Sequence, residues 1–182
     1  MTALVPEDDG YLESRSRVYR VLVRAEQGVA MLLLAVLFLL IILQVTSRYV
    51  FSAPISGTEE IARFTFIWFT FMAASFVAAR RKHITVQLYG GGSTGKLVAA
   101  VEVFAYLVMI VVSVAVVVGG VLMIRSTWTV SSPGVGLPFR FVYSALPLGF
   151  ALIVVHAALN LVLAARHPEQ FAGKQDVETA GL

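Results

Sequence analysis

The chain has 182 residues, of which 58% are hydrophobic and only 14% charged, and its mean hydropathy is +0.84; an aqueous domain is nearer half apolar and a quarter charged, so solubility is excluded as the starting assumption. It has no cysteine, which excludes a disulfide framework, a thiolate metal site and a cysteine nucleophile. The formal net charge of +3 arises from basic residues flanking apolar stretches, the pattern of membrane orientation rather than of nucleic-acid binding.

In chain order, residues 1–26 open with an acidic patch (Glu7, Asp8, Asp9, Glu13) and continue with Arg15, Arg17, Arg20 and Arg24. Val18, Val21, Leu22 and Ala25 recur between those arginines at helical spacing, as in an amphipathic lead-in lying on a lipid surface. A solvated helical extension of the first span fits the same residues, and the pattern does not separate the two. The apolar run from Val29 to Val45 is longer than a signal-peptide core and no small-x-small site follows it.

Four spans are expected, at about 27–46, 61–79, 97–124 and 141–165, each near or above the ~20 residues that cross a bilayer. The third would rise about 42 Å at ~1.5 Å per residue, so it should tilt or project beyond a ~30 Å hydrocarbon core. The expected fold is therefore all-α: a four-helix transmembrane domain over 27–165, between the 1–26 lead-in and a 166–182 tail. Lys and Arg divide unevenly between the two sides. Arg15, Arg17, Arg20, Arg24, Arg80, Arg81, Lys82, Lys96, Arg166 and Lys174 fall on one, and Arg48, Arg63, Arg125 and Arg140 on the other. The positive-inside rule then predicts cytoplasmic termini, with Tyr49, Phe51 and Trp128 in the outer aromatic belt and Tyr89 in the inner one.

The turn before the second span carries the densest polar chemistry. Ser56-Gly57-Thr58-Glu59 matches a capping box, with Ser56 as N-cap and Glu59 at N3. Glu59 and Arg63 stand four apart with the acid first, the favourable order on a helix. Glu60 lies about 100° further round, in line with Phe64, Ile67 and Trp68, and Arg48 is the partner expected for it. One reading makes Arg48, Glu60 and Arg63 a clamp within the chain. The other turns part of that set toward a second polypeptide.

These residues form two blocks that resemble the small membrane subunit of tripartite ATP-independent periplasmic (TRAP) transporters. The first is Gln44, Arg48-Tyr49-Val50-Phe51, Thr58-Glu59-Glu60-Ile61-Ala62-Arg63, Trp68 and Arg80-Arg81-Lys82-His83-Ile84 with Val86. The second is Gly136-Leu137-Pro138 followed by Tyr143-Ser144-Ala145-Leu146-Pro147-Leu148-Gly149-Phe150. The sequence departs from the family pattern at Gly57, Ala73-Ala74-Ser75 and Gln87. The resemblance implies a non-catalytic subunit in a bacterial inner membrane, bracing a large sodium-coupled permease subunit. It also implies a periplasmic binding protein that delivers an organic acid, and no cofactor. Arg48, Tyr49, Glu59, Glu60, Arg63, Trp68, Tyr143 and Pro147 become the structural and interface candidates, with membrane lipid as a further partner and nucleic acid as none.

Some polar residues within the spans are open to other chemistry. His83 and His156 could ligate haem, as in a membrane haem or quinone protein, but their predicted depths differ, and a lone histidine within a span more often hydrogen-bonds a neighbouring helix. Glu102 invites a proton-coupling role, yet it lies close to the inner boundary, within reach of Arg80 or Arg81 and of Tyr106. A self-sufficient proton-coupled carrier would need a polar mid-membrane path, for which Gln44 and His156 are the few candidates in the first and fourth spans. Pro147 lacks the donor for the Tyr143 carbonyl and should kink the fourth helix. No phosphate loop, metalloprotease motif or Ser-His-Asp arrangement is present in the sequence.

Overall fold

The computed structural model describes residues 17–80 and 95–166, apart from the side chains of 95–99, 102 and 163–166. The acidic patch, Arg15, Arg81, Lys82, His83, Tyr89, Gln87, His167, Lys174 and the side chains of Lys96 and Glu102 lie outside this description. The described residues form helices α1 (Arg17–Tyr49), α2 (Thr58–Ala79), α3 (Gly95–Ser126), α4 (Phe139–Tyr143) and α5 (Ala145–Arg166). Four stretches are long and apolar enough to cross a membrane, the last comprising α4 together with most of α5. The all-helical, four-span class expected from the apolar runs is the one found.

Two elements are more specific than the sequence expectation. The lead-in and first span are continuous, since α1 runs unbroken for 33 residues, about 50 Å at ~1.5 Å per residue. Nothing in Arg17–Tyr49 interrupts it: Gly28 is the only glycine there and proline is absent. The first turns of α1 are not merely solvated, because Tyr19, Val23 and Glu26 are buried against the rest of the chain. The fourth span is broken at Ser144 into α4 and α5. Pro147 removes the bond to the Tyr143 carbonyl, while Ser144 N–H still reaches Arg140 O and Leu148 N–H reaches Ser144 O. The chain therefore continues with a change of course rather than a stop.

The main packing runs α1 on α2, α2 on α5 and α5 on α3, so the helices stand in an open row rather than a closed bundle. Small residues set the spacing, as expected in lipid, where burial of apolar surface supplies no drive for association. A Cβ on Gly149 would lie 2.7 Å from Phe71 Cβ and 3.0 Å from its carbonyl oxygen, so α2 and α5 touch at that glycine. A Cβ on Gly120 would meet Pro147 at 3.0 Å, whereas Gly119 has open space beside it. Outside these seams, residues such as Phe38, Leu39, Phe104 and Val111 face outward, apolar and exposed.

Candidate functional site

The most concentrated chemistry lies near the basic end of the bundle, where three helices contribute polar side chains to one buried cluster. His156 of α5 has no exposed surface and Glu26 of α1 only 5%. His156 Nε2 lies 3.0 and 3.1 Å from the two Glu26 carboxylate oxygens, and Nδ1 lies 3.1 Å from the Tyr19 hydroxyl. Ser75 of α2 donates to Glu26 Oε2 at 2.6 Å, and Tyr19 donates to the Ala79 carbonyl at 3.4 Å. The Tyr19 and His156 rings also meet edge to face, with centroids 5.4 Å apart.

Helical periodicity assembles this cluster. Tyr19, Val23, Glu26 and Ala30 recur every three or four residues and form the buried stripe of α1. Ser75 and Ala79 are one turn apart at the corresponding end of α2. A buried carboxylate is tolerated because each oxygen has a partner and the imidazole bridges two groups of α1. The order of contacts also excludes Ser75 as the nucleophile of a triad. In a nucleophilic triad the imidazole stands between hydroxyl and acid. Here the acid stands between Ser75 and His156, so the imidazole does not face the serine hydroxyl. Both nitrogens of His156 are engaged by side chains of this chain, which leaves neither for haem.

The expectation of a hydrogen-bonded His156 is met, but Glu26, Ser75 and Tyr19 were not singled out from the sequence. The available signal was that Glu26 is the sole acid in Arg17–Tyr49 and lies in helical register with Tyr19 and Val23. It was masked by the surrounding arginines, which made the segment read as a lead-in on a lipid surface or a solvated helical extension.

At the opposite end the charged rim is looser than expected. The capping box is absent: Gly57, not Ser56, occupies the N-cap, with φ 86° and no side-chain cap bond. A left-handed residue there turns the chain so that Thr58 begins the helix, with its hydroxyl donating to Ile55 O at 2.9 Å. A side chain at Gly57 would also meet Val135 at 2.9 Å. Glu59 and Arg63 form the expected i,i+4 pair at 3.3 Å, about two-thirds exposed on both sides. No Arg48–Glu60 ion pair is found among the described residues. Arg48 is exposed in the last turn of α1, with its guanidinium 5.9 Å from the neighbouring Tyr49 ring, and Tyr49 is itself 76% exposed. Glu60 is half-buried and turns toward the 127–138 loop instead, where its Oε2 packs beside Gly134 without a hydrogen-bond partner among the described residues. The single cluster of Arg48, Glu60 and Arg63 therefore separates into three environments, because α1 ends in a turn that carries Arg48 outward while Gly57 aims Glu60 inward.

Of the remaining candidates, Trp68 joins α2 to the start of the fourth span, while Tyr143 and Pro147 pack within that span and against α3. Trp68 Nε1 donates to Phe141 O at 3.1 Å, and Tyr143 stacks on Phe139 with centroids 5.5 Å apart. Pro147 packs against Gly120 of α3. Arg140 lies over the rings of Trp128 and Phe141 at 4.8 and 5.3 Å, which ties the 127–138 loop to the start of the fourth span. These contacts are internal to the chain.

Residues 37–167 match the family profile described as tripartite ATP-independent periplasmic transporters, DctQ component. A Haemophilus influenzae protein named as a TRAP transporter small permease is 39% identical over 56 residues, a match covering 31% of this chain and 35% of that protein. The shared stretch thus spans about a third of the length of that curated relative. With the profile covering well over half of the sequence and four membrane-crossing stretches in the fold, the chain belongs to the DctQ family of TRAP transporter small permease components, a membrane-embedded transporter subunit and not an enzyme.

Proposed function

We propose that the chain is the subunit that braces a large, sodium-coupled permease subunit, in a complex that takes up an organic acid delivered by a periplasmic binding protein, with both termini of this chain in the cytoplasm. The observation that carries this reading is the distribution of charge along the spans. Between the Glu26–His156 cluster and the outer rim, no charged or histidine side chain occurs in 27–47, 64–79, 107–124 or 141–155. A carrier of ions or organic anions needs polar groups at mid-membrane. The one buried charged cluster described is closed on itself near one end, which suits a scaffold better than a pathway.

Reconstituted alone in liposomes under sodium and proton gradients, the subunit should show no uptake of dicarboxylates, keto acids or sugar acids. Added to the large subunit and the binding protein, it should be required for uptake. Saturable uptake by the chain alone would replace this reading with that of a self-sufficient carrier. At the outer rim, exposed Arg48 and half-buried Glu60 are charged groups available to a second polypeptide. Arg48→Gln and Glu60→Gln should therefore lower co-purification of the large subunit while the small one still inserts. Full complex yield from both variants would remove the rim from the proposed contact.

A further inference from the structure

The row of helices leaves a groove of about 280 Å³ between α1 and α2, on the flank of α1 beside its buried stripe. Its walls are Gln27, Met31 and Leu34 of α1 with Phe69, Phe76 and Val77 of α2. Almost the whole lining is apolar, and its polar part is confined to the end at Gln27. There Arg80 donates to Gln27 Oε1 at 3.2 Å and lies over the Phe76 ring at 4.6 Å, so a guanidinium closes that end. On α1 the stripe that enters the groove begins with arginine. Arg20, Arg24, Gln27, Met31 and Leu34 follow one another in steps of four, three, four and three, which keeps them on one helix face. Arg24 is exposed on that face.

Cationic at its membrane boundary and apolar along the span, the groove has the order of polarity of a phospholipid. We propose that it binds one anionic phospholipid, with the headgroup phosphate among Arg20, Arg24 and Arg80 and one acyl chain lying against Met31, Leu34, Phe69 and Phe76. Charge complementarity selects this occupant over a neutral lipid, and basic pockets between spans are known to favour anionic headgroups. Guanidinium groups suit the site because their forked donors match phosphate oxygens two at a time. A free phosphate would satisfy the arginines and leave the groove unfilled, so chain and headgroup act together. The site is separate from the Glu26–His156 cluster, which faces the interior of the row.

The full-length subunit, purified in a neutral detergent, is titrated with dioleoyl phosphatidylglycerol, and bound lipid is counted by native mass spectrometry. One phosphatidylglycerol per chain should be retained in preference to phosphatidylcholine, and inorganic phosphate at millimolar concentration should not displace it. Each arginine near an anionic headgroup contributes a factor of about five, so Arg24→Gln with Arg80→Gln should weaken binding roughly 25-fold. Met31→Trp keeps every arginine and fills the groove; it should weaken binding as well. Phe104→Trp, on an exposed face of α3, should leave binding unchanged. Equal affinity across all variants, equal affinity for phosphatidylcholine, or displacement by inorganic phosphate would each overturn the proposal. It would also be overturned if a Met31→Cys variant crosslinks to the large subunit and the complex carries no lipid, which would assign the groove to a partner helix.

Discussion

Replacing Glu26 with leucine tests whether the buried cluster holds α1 to the bundle. The substitution removes the acceptor of the 2.6 Å bond from Ser75 and the partner of His156 Nε2 at 3.0 Å. Both survivors stay out of water, since Ser75 and His156 have no exposed surface. Removing one member of a buried pair costs about 3–5 kcal/mol, and a bond to a charged group contributes about 1.5–3 kcal/mol of it. At roughly 2–4 °C per kcal/mol for a chain of this size, the apparent unfolding midpoint in detergent should fall by about 6–20 °C. His156→Leu should cost a similar amount, because it strands the carboxylate. Replacing a buried pair by apolar residues of similar volume is often neutral. The double variant Glu26→Leu with His156→Leu should thus recover at least ~2 kcal/mol of the summed single losses. The assay is a double-mutant cycle read by thermal unfolding of the purified subunit. Additivity within about 0.5 kcal/mol would show that the two residues do not interact, and would refute the cluster as a link between α1 and α5.

The two glycines flanking the α5 seams should behave oppositely to those in open space: Gly149→Val should destabilise by about 1–3 kcal/mol through its clash with Phe71, while Gly119→Ala should be neutral or stabilising by up to ~1 kcal/mol, both read by thermal unfolding. Glu59→Ala and Arg63→Ala should each cost under ~1 kcal/mol, since their pair is solvated. An Arg48→Glu, Glu60→Arg exchange should rescue neither single variant, because the two side chains do not meet; recovery of complex yield would contradict the geometry of the rim. Reporter fusions at Gly57, Gly91, Gly134 and the C-terminus should read out, in, out and in, and a periplasmic signal from Gly91 would reverse the proposed orientation.

Helix number and type were legible in the sequence because the bilayer imposes them locally: every backbone polar group in lipid must be paired within its own segment, so an apolar run of ~20 residues becomes a helix whatever its neighbours do. The break near Pro147 and the Glu59–Arg63 pair followed from equally local rules, a missing donor in one case and i,i+4 spacing in the other. What failed was decided by geometry between segments. The capping box of Ser56 and Glu59 satisfied a pattern, but the left-handed Gly57 packed beside Val135 set the true helix start. Arg48 and Glu60 stood close in sequence on either side of a turn, and the direction of that turn sent them apart. Glu26, by contrast, looked like part of a basic lead-in on a lipid surface or in solvent, yet among the described residues it is a buried charge with bonds to two other helices. Its partners Ser75 and His156 lie 49 and 130 residues away. Charge spacing along one helix says which face a residue occupies. Only the packing of α1, α2 and α5 decides that this face is inside, because burial of a carboxylate depends on donors that other helices must bring.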